Sequence, residues 1–348
     1  MSLSSVYEDD FMSVLKSIPE FEKMFGKSYF ITGASGLIGS ALVDFFSVLN
    51  NKCHADIRML LGSRNKKTLE RRFGDLLNMD GIDTVDMDPM SPILTDKKPD
   101  YIIHAASPAN PTWYAEKPVE TMQSVFWGLN NVLEFARNKK VHRTLFISSS
   151  EVYGQKASDT PYNNNEYGFL DILNPRACYP SAKRAGETLC ASYYQEYLVD
   201  SVIARPGHVY GPYVTDSDSR ASSAFVREVV AGNDIVMKTA GLQKRSYCYI
   251  CDCVSALMTV LLHGRSLAGY NISNPDSVCT IRDMAECIAH YGDKKVNYTK
   301  ATELEKRGYN LMENSSLNSD DLQELGWRGM FDLNTGVCHT IQILSNND

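Results

Sequence analysis

Tyr179 and Lys183 stand four residues apart in the stretch from Asn174 to Cys190, Asn-Pro-Arg-Ala-Cys-Tyr-Pro-Ser-Ala-Lys-Arg-Ala-Gly-Glu-Thr-Leu-Cys. Pro180 suits the first turn of a helix, and Ala, Lys, Arg, Glu and Leu carry the helix onward. The phenol and the ammonium therefore share a face. Nearby positive charge favours the phenolate of a tyrosine whose pKa is ordinarily about 10. A phenol tuned in this way can take a proton from a hydroxyl near neutral pH. Alone, the pair is what any helix surface carries, so its meaning depends on the residues around it.

A second chemical group is Ser148-Ser149-Ser150-Glu151-Val152-Tyr153-Gly154, which ends the apolar run Thr144-Leu145-Phe146-Ile147, a predicted strand. Serines there can cap a turn and a carboxylate can be solvated, but polar groups facing a cleft are costly unless something binds them. A third is Thr32-Gly33-Ala34-Ser35-Gly36-Leu37-Ile38-Gly39, between the strand Tyr29-Phe30-Ile31 and an apolar helix running to about Leu49. Backbone N–H groups and a helix dipole at such a turn can meet a pyrophosphate, and the last glycine lets helix and strand pack closely. Gly33, Ser35, Gly36, Leu37, Ile38 and Gly39 are thus candidates for holding a dinucleotide.

The strand Ile57 to Leu61 should end in an acidic residue if the site holds the ribose of NAD. It ends instead in Gly62-Ser63-Arg64, where Arg64 either faces the extra phosphate of NADP or is a loop charge. Asp86 and Asp88 are candidates for the adenine. The strand Tyr101 to His104 runs into Ala105, Ala106 and Ser107, small residues that permit close approach of a cofactor. His104 itself reads as a core residue. A helix from about Val119 to Asn138 follows, then the Tyr179 helix and the strand Val202 to Arg205. Beyond it, His208 lies in Pro206-Gly207-His208-Val209-Tyr210-Gly211-Pro212, and Arg220, Lys244, Arg245 and Arg307 are candidate phosphate holders.

Repeated strand–helix alternation predicts an α/β chain with a doubly wound parallel sheet. The expected division is a dinucleotide-binding domain from 1–205 and 236–272, and a smaller discontinuous α/β substrate lobe from 206–235 and 273–348. Before Lys27, Phe11, Val14, Leu15, Ile18, Phe21 and Phe25 recur at helical spacing. The 348 residues carry a net charge of −7, which argues against nucleic acid and anionic membrane as partners and for a small ligand held by local arginines. No apolar run reaches membrane-spanning length and the first ten residues are polar, so a cytoplasmic protein is expected. Cys248, Cys251 and Cys253 lack a second ligand pair for zinc and read as packing, so no metal is expected.

Thr-Gly-x-x-Gly-x-x-Gly at Thr32 to Gly39, the Ser148 to Gly154 stretch and Tyr179-x-x-x-Lys183, in this order, resemble the extended short-chain dehydrogenase/reductases. These are the NAD-dependent nucleotide-sugar epimerases, dehydratases and decarboxylases. Stretches similar to His104-Ala-Ala-Ser-Pro-Ala-Asn-Pro, Pro175-Arg-Ala-Cys-Tyr and Lys183-Arg-Ala-Gly-Glu-Thr place the likeness nearest the UDP-glucuronate decarboxylases. The resemblance runs from Ser28 to Trp327 and implies a Rossmann-type fold, NAD (or NADP, given Gly62 and Arg64) and oxidation of a sugar at carbon four.

In that likeness Tyr179 is the base, Lys183 its tuner and a ribose ligand, and Ser149 the hydroxyl that orients the sugar proton. Glu151 is the carboxylate that decarboxylases and 4,6-dehydratases place beside the sugar. Ser150, His208, Arg220, Arg245 and Arg307 fall on the substrate side. Ser150 stands where the dehydratases carry an Asp, and His208 where the family usually has Asn. The alternatives are a 4-epimerase or 4,6-dehydratase of a UDP- or dTDP-hexose, or a non-catalytic dinucleotide sensor. Similar enzymes form homodimers through a four-helix bundle made by the Tyr-bearing helix and the helix near Val125 to Phe135.

Overall fold

The computed structural model describes residues 3–213, 218–302 and 312–345. Its large sheet is built from β1 (Ser28–Thr32), β2 (Arg58–Ser63), β3 (Ile82–Asp86), β4 (Tyr101–His104), β5 (Arg143–Ile147), β6 (Ser201–Pro206) and a late strand, Gly269–Ile272. The order across the sheet is Gly269–Ile272, β6, β5, β4, β1, β2, β3, with every pairing parallel. The inner strands read as largely apolar runs because both faces are covered, whereas β3 at the edge alternates with polar residues. Tyr29 and Ile31 face a core shared with α1 (Ser5–Leu15) and α2 (Leu37–Cys53), while Phe30 between them faces α5 (Pro118–Lys139) and α6 (Cys178–Tyr197). Of the helix expected before Lys27 only Ser5–Leu15 forms, as α1, burying Phe11, Val14 and Leu15; Ile18 lies in the turn that follows, and Phe21 starts and Phe25 caps a separate short turn of 3-10 helix.

The order reverses between β1 and β4, whose chains leave for opposite faces. A crevice at the C-terminal ends of these two strands follows, and both the glycine turn and Ala105 to Ser107 open onto it.

At Gly207 the chain steps out of the large sheet, a move that only glycine permits: a Cβ there would lie 2.4 Å from the Ser246 carbonyl oxygen. It then forms β7 (His208–Tyr210), which pairs with β9 (Lys244–Tyr249); β9 also pairs with Val278–Thr280 and Asn314–Ser315 to complete a second, four-stranded sheet. A two-stranded ladder joins β8 (Ile235–Met237) to Val296–Tyr298. Although β9 falls inside 236–272, its backbone hydrogen bonds lie in the smaller sheet. The chain returns to the large one through α8 (Ile250–His263) and the strand Gly269–Ile272, here β10. The cysteines at 248, 251 and 253 sit on this β9–α8 passage, fully buried, as packing residues. Among the described residues no helix is long and apolar enough to cross a membrane.

Candidate active site

At the crevice, Gly33 adopts φ +67° and a Cβ on it would lie 2.7 Å from Ala106 Cα. Gly39 is tighter still, with the Gly33 oxygen 2.2 Å from where its Cβ would be. These two contacts draw the β1 turn, α2 and the end of β4 together, so any side chain would push them apart. Gly36 precedes α2 without a side-chain cap, leaving the first-turn N–H groups to be met by something else. Ser35, Leu37 and Ile38 are half-buried around that opening. Ala105 and Ala106 are half-buried opposite, and Ser107 Oγ is buried with no hydrogen-bond partner among the described residues. A glycine-lined cradle, an uncapped helix start and an orphaned hydroxyl fit a dinucleotide pyrophosphate.

His104 lies beneath this cradle as a core residue. Thr32 Oγ1 accepts the Ala106 N–H at 3.2 Å and is hydrogen-bonded to His104 Nδ1 at 2.8 Å. Burial pulls the His104 pKa down to about 3.

The proton-handling end is set by α6. Asn174 accepts the Arg176 N–H at 3.0 Å, opening a short turn, Pro175–Ala177, that leads into the helix. Lys183 is buried; its Nζ donates to the Ile147 carbonyl at the end of β5 at 2.7 Å and lies 5.7 Å from the Tyr179 ring centre. Burial lowers its pKa to about 7, against the pull of Glu187 one helical turn on. For Tyr179 burial is again the largest influence, and with Glu151 it raises the phenol to about 12; Ser149, Tyr114 and Arg220 act in the opposite direction. The depressed phenol expected from the Tyr–Lys spacing is therefore not what this geometry produces, because desolvation outweighs the neighbouring charges.

Ser149 Oγ accepts the Glu151 N–H at 3.2 Å and starts the turn Ser150–Tyr153, which buries Ser150. The Glu151 carboxylate is gripped by both terminal nitrogens of Arg176, at 3.0 and 3.1 Å. Arg176 lies 4.8 Å over the Tyr114 ring, and Tyr114 stacks on Tyr179 with centroids 4.6 Å apart. The phenol thus meets the Tyr114 ring and the charge of the Glu151 carboxylate, and Arg176 bridges those two neighbours.

Behind this set, Glu187 accepts from Ser148 Oγ at 2.6 Å and pairs with Arg205, whose Nη1 also donates to the Tyr153 hydroxyl at 3.0 Å. The serine turn is thereby tied to both α6 and β6. Sequence reasoning missed Tyr114, Arg176, Glu187 and Arg205. Asn110-Pro111 forecasts the short helix Pro111–Glu116 that carries Tyr114, since its Asn caps and its Pro occupies the first turn. Glu187 stands at i+4 from Lys183, a spacing that puts it one turn away.

On the substrate side, His208 is at the start of β7 and Arg245 is buried in β9 next to it. Arg220 is held by Asp218 and reaches the Val209 carbonyl at 3.3 Å. Arg245 and Arg220 both act on His208, and together with burial they lower its pKa to about 3; its Nε2 is buried without a partner among the described residues. Lys244 points outward to pair with Asp159 at 3.1 Å. Arg64 is exposed at the far end of the crevice, and Arg307 lies outside the described residues.

A parallel sheet with a dinucleotide cradle at its switch point, and a buried tyrosine and lysine one turn apart beside it, define a nicotinamide-dependent dehydrogenase-type fold. Residues 29–273 match the NAD dependent epimerase/dehydratase family, and the chain belongs to it. The chain is 31% identical over 258 residues to UDP-glucuronic acid decarboxylase 6 of Arabidopsis thaliana, covering 74% of this chain and 72% of that protein. It is 27% identical to UDP-glucuronic acid decarboxylase 1 of Danio rerio, covering 92% and 73%. Among solved structures, a UDP-N-acetylglucosamine 4-epimerase of Methanobrevibacter ruminantium superposes with a TM-score of 0.77 at 20% identity, over 92% of this chain and 98% of that one. A dTDP-glucose 4,6-dehydratase of Streptomyces venezuelae gives 0.76 at 19%, over 92% and 97%. The solved structures share the fold.

Proposed function

We propose that this enzyme oxidises a nucleotide sugar at carbon four and removes the carboxyl group of UDP-glucuronate. The observation that carries this reading is Glu151, a carboxylate fixed by Arg176 beside the Tyr179 phenol, in a chain whose curated relatives include UDP-glucuronic acid decarboxylases. Tyr179 takes the proton of the carbon-four hydroxyl as the phenolate, a form that the positive charge of an oxidised nicotinamide beside it would favour against burial and Glu151, with Ser149 orienting that hydroxyl and Lys183 reaching a ribose of the cofactor. Gly33 to Gly39 and Ala105 to Ser107 would hold a nicotinamide dinucleotide, which would supply reversible hydride chemistry at carbon four. A ketone at carbon four makes the carboxylate on carbon five a β-keto acid, which loses carbon dioxide readily. His208, Arg220 and Arg245 face the anionic groups of the substrate, and the buried, unpartnered His208 Nε2 supports a donor role there. Ser150, in place of an acid, argues against dehydration.

Two further parts of the reading concern the setting. The outer face of α5 exposes Val119, Met122 and Trp127, which supports a homodimer that packs α5 and α6 against a second copy. All nine cysteines are unpaired, as suits a reducing, cytoplasmic compartment.

The test is incubation of the purified protein with UDP-glucuronate, followed by mass spectrometry and proton NMR. Carbon dioxide and a UDP-pentose are expected. Unchanged UDP-glucuronate, with turnover of a UDP- or dTDP-hexose, would replace decarboxylation by epimerisation or dehydration.

A further inference from the structure

The far end of the crevice carries an asymmetry of charge. Gly62 ends β2 with its missing side chain aimed into the core: a Cβ there would lie 2.7 Å from Met87 Sδ and 3.0 Å from a Phe30 ring carbon. A side chain at 62 would have to displace Met87 and press on Phe30. Ser63 is buried, with its hydroxyl turned to the backbone of Asn65 at 3.3 Å. The first side chain to emerge into solvent is Arg64, which makes no ion pair among the described residues. It lines a cleft of about 810 Å³ together with Lys67 from the start of α3 (Lys66–Phe73) and Lys117 from the opposite wall. Lys117 sits 5.0 Å over the Trp113 ring, which forms an apolar side of the same cleft.

We propose that this cleft takes the 2′-phosphate of NADP, with Arg64 as its principal cation, and that the protein prefers NADP to NAD. The inference rests on the dinucleotide reading above and extends it. NAD presents a 2′-hydroxyl, whose customary partner is a carboxylate at the end of the second strand, whereas an arginine there accommodates the 2′-phosphate. Here position 62 carries no carboxylate and faces Met87 and Phe30, and a guanidinium with no ion pair among the described residues follows two residues later. A guanidinium matches phosphate geometry in a bidentate way, and Lys67 and Lys117 add point charges from two sides. Of the acids that line the cleft, Asp86, Asp88 and Glu120, the first two have another task. Asp86 ends β3, in register with Ser63, and Asp88 follows, with one oxygen accepting the Met90 N–H at 2.9 Å. Carboxylates on that side suit the adenine amino group, a hydrogen-bond donor.

The experiment reads cofactor binding directly. Nucleotide released from the purified protein by denaturation is identified by mass spectrometry, and the protein is titrated calorimetrically with 2′,5′-ADP and with 5′-AMP. NADP among released nucleotides, or 2′,5′-ADP binding at least about tenfold tighter than 5′-AMP, is expected. Arg64→Ala should lose about tenfold in affinity for 2′,5′-ADP and leave 5′-AMP unchanged. Released NAD with equal affinities for the two probes, or an Arg64→Ala effect equal on both, overturns the proposal. A protein that discriminates the probes yet leaves every nucleotide sugar intact would sink the decarboxylase reading alone. One that decarboxylates UDP-glucuronate without discriminating would sink this one alone.

Discussion

Replacing Arg176 with alanine removes the only contact that grips both oxygens of Glu151 among the described residues. The two side chains are 12% and 20% exposed, so the pair is mostly shielded from solvent. Charge-assisted hydrogen bonds contribute about 1.5–3 kcal/mol each. With partial compensation by water entering the gap, a net loss of about 2–4 kcal/mol at the reacting geometry is expected. Spent on the transition state, this lowers kcat about 30- to 1000-fold. The freed carboxylate would also swing without its anchor next to the Tyr179 phenol, which it already pushes upward. The assay is steady-state turnover of UDP-glucuronate across pH, for Arg176→Ala, Glu151→Gln and the double variant, with melting temperatures for each. The expected pattern is a fall in kcat larger than any rise in KM, and a double variant no worse than the poorer single. Retention of kcat within about twofold, or fully additive losses, would show that the two side chains do not work as a unit.

Other perturbations reach different parts of the molecule. Gly33→Ala places a side chain at φ +67° and against Ala106, so dinucleotide affinity measured by fluorescence titration should fall at least about 100-fold, from backbone strain of about 1–2 kcal/mol plus the clash. His104 has a folded pKa of about 3, below its unfolded value of about 6.5, so the stability that its neutral form provides is complete above pH 6.5 and is lost as pH falls toward 3. Its contribution declines by about 1.4 kcal/mol per pH unit, or about 2 kcal/mol at pH 5; urea unfolding at pH 7 and pH 5 should show this, and His104→Gln should shrink the difference by about 2 kcal/mol while leaving the share of His208, whose pKa is also lowered to about 3. Tyr179→Phe should keep the melting temperature within a few degrees while kcat drops about 100- to 10,000-fold, and full turnover would remove Tyr179 from the chemistry. Trp127→Asp should convert a dimer to a monomer in sedimentation velocity; an unchanged species would place any self-association elsewhere.

The five central strands of the large sheet were legible in sequence because they are apolar runs between amphipathic helices, patterns that survive without knowledge of the partners; the edge strands β3, half of it polar, and β10 were not. The glycine cradle was equally legible, since a strand, a Gly-x-x-Gly-x-x-Gly turn and an apolar helix specify one geometry. Electrostatics at the site were not. A Tyr–Lys spacing reports that two groups share a helix face, but whether the phenol is depressed or raised depends on burial, and that is decided by Tyr114, Arg176 and β5. Those contacts join residues more than twenty positions apart. The passage of β9 into the smaller sheet was hidden for a related reason: its sequence suits a buried strand anywhere, and only its pairing with β7 assigns it.

The late arrival of β10 has a consequence for how the chain is made. β6 ends at Pro206, while the strand that covers its free edge begins only at Gly269, after β7 to β9 and α8 have been laid down. As the polypeptide emerges from a ribosome, β6 waits with unpaired N–H and C=O groups while more than a turn of the second sheet is still being synthesised. An open parallel edge of this kind is a template for pairing with other chains. Until β10 docks, the outer edge of β6 therefore stays open to pairing with another chain.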